Sequence, residues 1–200
     1  MLVRTALVAA ATAALTIVPL TAANAQTWRH TDTTGDVQSV VGDADPTPAP
    51  DAVDPDATSV RVSHGPGKVT IRTQYQDLAK ASDGFYAFFF QLRTNERVNR
   101  QLEVDAGPGM WRGQLSFGSP RKKLHCRGLA RSIDYTANTV TVTVPRSCLS
   151  NPRWVQIGDA AVKVIGPDAT DANSGTLFAD DAVSPNVGNN LAWSPSIHRG

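Results

Sequence analysis

The sequence predicts an all-β protein: an antiparallel β-sandwich of jelly-roll or immunoglobulin-like type, with about 8–10 strands and one disulfide. Three observations lead there. The stretch from Cys126 to Cys148 alternates apolar and polar residues on both sides of Ala137-Asn138-Thr139, with Ile133 and Tyr135 on one arm and Val140, Val142 and Val144 on the other. A period of two around a short turn is the pattern of a hairpin with one buried face. Second, 16 of the 18 acidic residues are Asp, alongside 13 prolines and 15 glycines. Asp favours turns and caps where Glu favours helix, so this composition supplies strands and turns. Third, apolar runs of strand length recur between Gly, Pro and Asn signals, and no convincing long helix interrupts them.

Cys126 and Cys148 are the two cysteines of the chain and stand at the outer ends of the hairpin arms. Antiparallel pairing brings those ends together, so the two are expected to form a disulfide. Closing a loop of about 22 residues restricts the unfolded chain by roughly 3 kcal/mol in the chain-entropy model.

The strands follow in order. Residues 1–25 read as a secretion signal, with Arg4 ahead of an apolar run from Thr5 to Leu20 and an Ala23-Asn24-Ala25 cleavage site. The remaining 26–200 are expected to form one domain. Trp28-Arg29-His30 reads as a short first strand and Val37 to Val41 as a second, followed by an Asp- and Pro-rich loop over 42–57. Val60 and Val62, then Val69 and Ile71, flank His64-Gly65-Pro66-Gly67 as a hairpin. Phe85 to Leu92, FYAFFFQL, is the most apolar run of the mature chain and predicts a central strand buried on both faces. Val98 to Ala106 and Trp111 to Phe117 supply two more strands. Trp154 to Val164 gives another, with a bulge or turn expected at Gly158-Asp159. The polar stretch 166–200 is expected to wrap the sandwich and add one edge strand at most.

Charge is unevenly placed. Residues 26–60 carry a net −6, residues 61–163 a net +9 and residues 164–200 a net −3. A basic middle reads either as a nucleic-acid surface or as strands against which the acidic ends fold. No nucleic-acid recognition motif is present, so the acidic ends are expected to neutralise the basic strands, with no nucleic-acid partner. No stretch of the mature chain is apolar enough to span a bilayer.

The sharpest candidate site is a set of carboxylates: Asp32 and Asp36 around Gly35, with Asp54 and Asp56 returning from the Pro-rich loop. Calcium takes six to eight oxygens from carboxylates and carbonyls, which loops of this kind can converge to supply. The same residues serve equally as turn caps, through side-chain bonds to backbone N–H groups. The D-x-x-G-D-V run at 32–37, followed by a loop and by SVRVSHGPGKVTIRTQ at 59–74, resembles the start of family 9 carbohydrate-binding modules and DOMON-like sandwiches. That resemblance implies an extracellular β-sandwich binding sugar, haem or calcium. Along most of the mature length, including AGPGMWRG and CLSNPRWVQIG, the chain resembles small secreted actinobacterial proteins of unassigned function.

Other chemistry finds little support. His30, His64, His125 and His198 show no zinc-ligand spacing, no serine sits in G-x-S-x-G, and the disulfide removes the thiols as nucleophiles. Of the four tryptophans, Trp111 between Gly109 and Gly113 is expected to be partly exposed and to face a ligand, the others to pack in the core. The sequence thus points to a secreted, non-catalytic module, calcium-stabilised and binding extracellular carbohydrate, a cell-wall polymer or another partner. Two alternatives stay open: an extracellular hydrolase assembled from scattered Asp, His and Ser residues, and a structural protein with no ligand.

Overall fold

The computed structural model describes residues 25–42, 44–82, 84–119, 121–166, 175–185 and 191–200. Apart from Ala25, the segment read as a secretion signal lies outside the described residues. Two antiparallel sheets pack against each other. The first contains, in spatial order, β1 (Gln26–Thr31), β4 (Ala57–His64), β5 (Lys68–Tyr75), β11 (Thr139–Pro145) and β10 (Ala130–Asp134). The second runs β3 (Thr47–Pro48), β2 (Gln38–Val41), β13 (Thr176–Asp181), β12 (Trp154–Ile165), β6 (Gly84–Thr94), β7 (Asn99–Ala106), β8 (Gln114–Ser119) and β9 (Lys122–Lys123), with β14 (Ile197–His198) also on β12. Three of these strands are two residues long, which leaves eleven of four residues or more among the described residues.

Alternation in sequence becomes alternation in space. Val60, Val62, Val69, Ile71, Val140, Val142 and Val144 are buried on the inner face of the first sheet. They meet Tyr86, Phe88, Phe90, Leu92, Leu102 and Val104 from the second in one core cluster. The β4–β5 hairpin closes at Gly65, whose N–H donates to the Lys68 carbonyl at 3.0 Å. The β10–β11 hairpin forms as expected, and Cys126 and Cys148 are disulfide-bonded with Cα atoms 5.9 Å apart. A 3₁₀ turn at Arg146–Leu149 carries Cys148 and buries Leu149 under the sandwich.

Four expectations need correction. Strand β6 is central, between β12 and β7, but it is fully buried on one face only; Phe85 and Phe89 on its outer face are half-buried. Strand β12 runs without a bulge through Gly158 and Asp159. Gly158 instead makes room: a Cβ there would lie 3.0 Å from the Ala192 carbonyl and from Leu191 Cβ, so the C-terminal segment can lie against the strand. Ser194 fixes it, donating its N–H to the Ile157 carbonyl at 2.8 Å while its hydroxyl accepts the Ile157 N–H at 3.0 Å. The C-terminal region supplies more than an edge. Strand β13 sits inside the second sheet, paired with β12 on one side and β2 on the other. Finally, the strand expected from Trp111 begins at Gln114, because Gly107 to Gly113 forms two consecutive turns and Gly113 has φ 82°.

Two measurements test this core. Phe88→Ala should cost about 3–5 kcal/mol in urea unfolding, and Phe89→Ala clearly less, because the same ring is deleted from a half-covered face. Equal losses would mean the outer face of β6 is as enclosed as the inner. Alkylation of the unfolded, unreduced protein should label neither Cys126 nor Cys148, and prior reduction should expose both.

Candidate metal centre

One end of the sandwich gathers carboxylates from four parts of the chain. After β1 the backbone N–H of Asp32 donates to the Thr58 carbonyl at 3.0 Å, which holds this end of β1 to β4. The turn that follows carries Gly35 at φ 81°, a left-handed conformation suited to glycine. That conformation aims the Gly35 N–H at Asp56 Oδ2, 2.7 Å away. Asp56 precedes β4 and is fully buried; its Oδ2 also accepts from Gln76 Nε2, while Oδ1 has no partner. Asp36 follows Gly35, and both of its carboxylate oxygens are buried without a hydrogen bond.

The fourth contribution comes from the other sheet. Asp180 of β13 is 1% exposed, and its Oδ2 accepts the Ala57 N–H at 2.7 Å, which ties β13 to the start of β4. Its Oδ1 has no partner. One oxygen each from Asp36, Asp56 and Asp180 lies within 4.8 Å of the other two. Two oxygens bound to a single calcium at about 2.4 Å can be at most about 4.8 Å apart, and each pair of the three keeps within that limit. The donors are all hard carboxylate oxygens with no nitrogen or sulfur, a set that suits calcium or magnesium rather than zinc.

Two more acids border the group. Asp159 of β12 is fully buried; its Oδ2 accepts from the Thr73 hydroxyl at 2.5 Å and its Oδ1 is unpartnered. Asp32 uses Oδ1 for the Thr33 N–H at 3.0 Å, with His30 Nε2 at 4.0 Å, and leaves Oδ2 buried and unpartnered. Desolvation dominates the acidity of both. Burial, with the Asp180 charge second, pushes Asp32 up to about 8. Burial pushes Asp159 up to about 8 and Asp180 up to about 7, with neighbouring carboxylates adding to both. Asp36 and Asp181 are raised as well, by burial first. Without a cation, carboxylates this close and this dry keep protons.

Of the acids singled out from sequence, the structure brings Asp36 and Asp56 together and sets Asp32 beside them. Asp54 is turned elsewhere: its Oδ2 is 2.6 Å from Lys163 Nζ and accepts from the Tyr86 hydroxyl at 2.6 Å. A half-buried salt bridge and a tyrosine hydrogen bond account for its charge, so it is not a ligand of this group. Sequence reasoning missed Asp180 and Asp159. Their signal was present as acids inside strand-like runs, two in TLFADD and one in IGDAAVKV, where an inward charge needs a reason. Trp111 is half-buried, edge-on to Tyr135 at 5.7 Å and to Tyr86 at 6.5 Å, which makes it a wall of the core rather than a free platform.

The acidic stretches neutralise the basic strands at one place: among the described residues the ion pairs are His30–Asp32 and Lys163–Asp54, and no carboxylate pairs with an arginine. The acids turn inward and the arginines of the strands stay outside. No family model, curated protein or solved structure matches the chain.

The pH dependence follows from the sign of these shifts. Asp32, Asp159 and Asp180 hold protons more tightly folded than unfolded, so between pH 3.8 and about 8 the unfolded chain releases protons first. Stability of the metal-free fold is therefore fully present at the acid end of that window and lost as pH rises through it. In chelator the melting temperature should be lower at pH 8 than at pH 5, and Asp159→Asn should flatten the difference. A chelated protein that melts at the same temperature or higher at pH 8 would contradict this account of the cluster.

Proposed function

We propose that the protein is a secreted, non-catalytic β-sandwich that completes its fold by binding one calcium ion between Asp36, Asp56 and Asp180, and that it serves as an extracellular binding module. The observation that carries the reading is the trio of carboxylates within 4.8 Å, each with a buried oxygen that no group of the protein satisfies. A buried unpaired charge is among the costliest features a fold can hold, and a divalent cation removes that cost. Asp32 sits at the edge of the same group, beside the three acids whose charges already cover the two of the ion.

Several features support the remaining parts of the reading. The N-terminal Arg4, apolar run and Ala23-Asn24-Ala25 site favour export, as does the Cys126–Cys148 disulfide. Among the described residues no helix is long and apolar enough to cross a membrane. The first of the segments that resemble family 9 carbohydrate-binding modules and DOMON-like sandwiches, 32–37, is tied at this end of the fold to the residues just ahead of the second, 59–74, where Asp32 joins Thr58 and Gly35 joins Asp56. Catalysis by the cluster is disfavoured because Asp56, Asp159 and Asp180 are at most 1% exposed and no substrate reaches them. Calcium is preferred to magnesium because its irregular, larger coordination shell suits ligands fixed by three unrelated backbone segments.

At pH 8, calcium at a hundredfold excess over its dissociation constant should stabilise the fold by roughly 2.7 kcal/mol, a rise of several degrees in melting temperature that chelator reverses. The rise should shrink at pH 5, where protons compete for the carboxylates. Magnesium should give a smaller shift. Asp36→Asn and Asp180→Asn should each abolish the response, whereas Asp54→Asn should weaken the fold through Lys163 and leave the calcium response in place. Identical melting temperatures in millimolar calcium and in chelator at pH 8 would reject the centre and leave the reading of a structural protein without a ligand.

A further inference from the structure

The outer face of the first sheet carries an arrangement that the calcium centre does not use. Register places Arg29 of β1 opposite Arg61 of β4, and Arg61 opposite Arg72 of β5. The guanidinium groups therefore form a row across three neighbouring strands, at the strand separation of about 4.8 Å. All three arginines are exposed. Among the described residues, none of the three has a side-chain hydrogen bond or a carboxylate within 4.0 Å. The acid on this face, Asp134 of β10, lies at the opposite edge and accepts the N–H groups of Thr136 and Ala137 at 3.0 and 2.9 Å in its own turn.

Like charges directly opposite one another destabilise a sheet. Here two such pairs share a central arginine, and among the described residues no carboxylate offsets them. A hollow of about 400 Å³ opens along the row, lined by the three arginines with His30, Thr31, Ser59, Val60 and Gln74. Side chains of a sheet stand roughly perpendicular to it, so the three guanidinium groups run side by side instead of converging on a point. A single small anion meets one or two of them. A ligand whose charge repeats at the strand spacing meets all three.

We infer that this row binds a linear polysaccharide bearing one carboxylate per sugar, a polyuronate. Each guanidinium can take a carboxylate through two parallel N–H donors, and the flexible arginine stems let the three heads follow carboxylates along a chain. Hydroxyls of Thr27, Ser63, Thr70 and Thr141 lie on the same face, above and beside the row, as partners for sugar hydroxyls. The strand residues of this face include no aromatic ring, which removes the stacking platform that neutral sugars and single-stranded nucleic acids use.

The test is calorimetric titration of the whole mature protein at low salt with hexagalacturonate, with its methyl ester and with inorganic polyphosphate of similar length. The acid should bind, more weakly as salt is added, and the ester should not. Arg61→Gln should weaken binding about tenfold or more, and Arg112→Gln, an exposed arginine in the turn before β8, should leave it unchanged. Without ligand, Arg61→Gln should melt roughly one to three degrees higher, because it relieves the repulsion in the row; an arginine retained for structure would give the opposite sign. Equal binding of acid and ester, polyphosphate binding as well as the uronate, or an Arg61→Gln protein with unchanged affinity would each overturn the inference. Binding should persist in Asp36→Asn, so that the calcium centre and the arginine row stand or fall separately.

Discussion

The fold depends on a group of buried carboxylates placed where the two sheets meet. Asp180 reaches from β13 to the Ala57 N–H, and Asp159 of β12 receives the Thr73 hydroxyl of β5. These are polar ties between the sheets, and each is made by an acid whose second oxygen has no partner. Burial alone makes such groups neutral at moderate pH. Protonated, they are hydrogen-bonding groups of a dry interior; ionised, they require a cation. The same residues thus register one sheet against the other and make that register depend on what shares the space with them. A sandwich with an aliphatic residue at Asp180 would pack as well and lose the tie to Ala57.

Around this centre the other charges are arranged to stay out of it. Asp54 comes from the same loop as Asp56, yet Lys163 and Tyr86 draw it to a separate site, and burial together with the Asp54 carboxylate raises the pKa of the Tyr86 hydroxyl well above its ordinary value. Asp181, next to Asp180 in the strand, accepts the Val183 and Ala192 N–H groups at 3.1 and 2.8 Å and so fixes the C-terminal segment over β12. Alternation along β13 explains the division of labour. Successive residues point to opposite faces, so one acid enters the space between the sheets as a candidate ligand and its neighbour, equally buried, serves as an anchor under the C-terminal segment.

Much of the fold was legible because period-two alternation and turn chemistry act locally. Val60, Val62, Val69 and Ile71 declare their hairpin, and Val140, Val142 and Val144 declare theirs, without reference to the rest of the chain. Strand β13 was not legible for a physical reason. A strand is recognised by apolar residues on its inner face, and β13 places Asp180 there because the space it faces is polar. Half of the candidate site was legible for the converse reason: Asp32, Asp36 and Asp56 lie in turns, where Gly35 and the prolines mark convergence, whereas Asp159 and Asp180 join them only through sheet pairing across more than a hundred residues of chain. Gly158 misled in the same way. Its missing side chain was read as a bulge, and its use is to admit a segment some 30 residues later in the chain.

The placement of charge connects the interior to the surface. A chain with an acidic start and a basic middle would, if the two simply neutralised each other, show carboxylate–arginine pairs along the strands. The described residues contain none: the acids of the first turns are consumed inward, by backbone N–H groups and by one another, and the arginines of β1, β4 and β5 are left facing water. Removing the acids to the interior is what leaves the row of Arg29, Arg61 and Arg72 without partners. A cation inside and a polyanion outside would then be two answers to one separation of charge, the first satisfying the carboxylates that the fold has enclosed and the second the guanidinium groups it has kept exposed. Because no side chain is shared between the two places, either can be filled without the other, and the first sheet between them transmits nothing that its own stability does not already require.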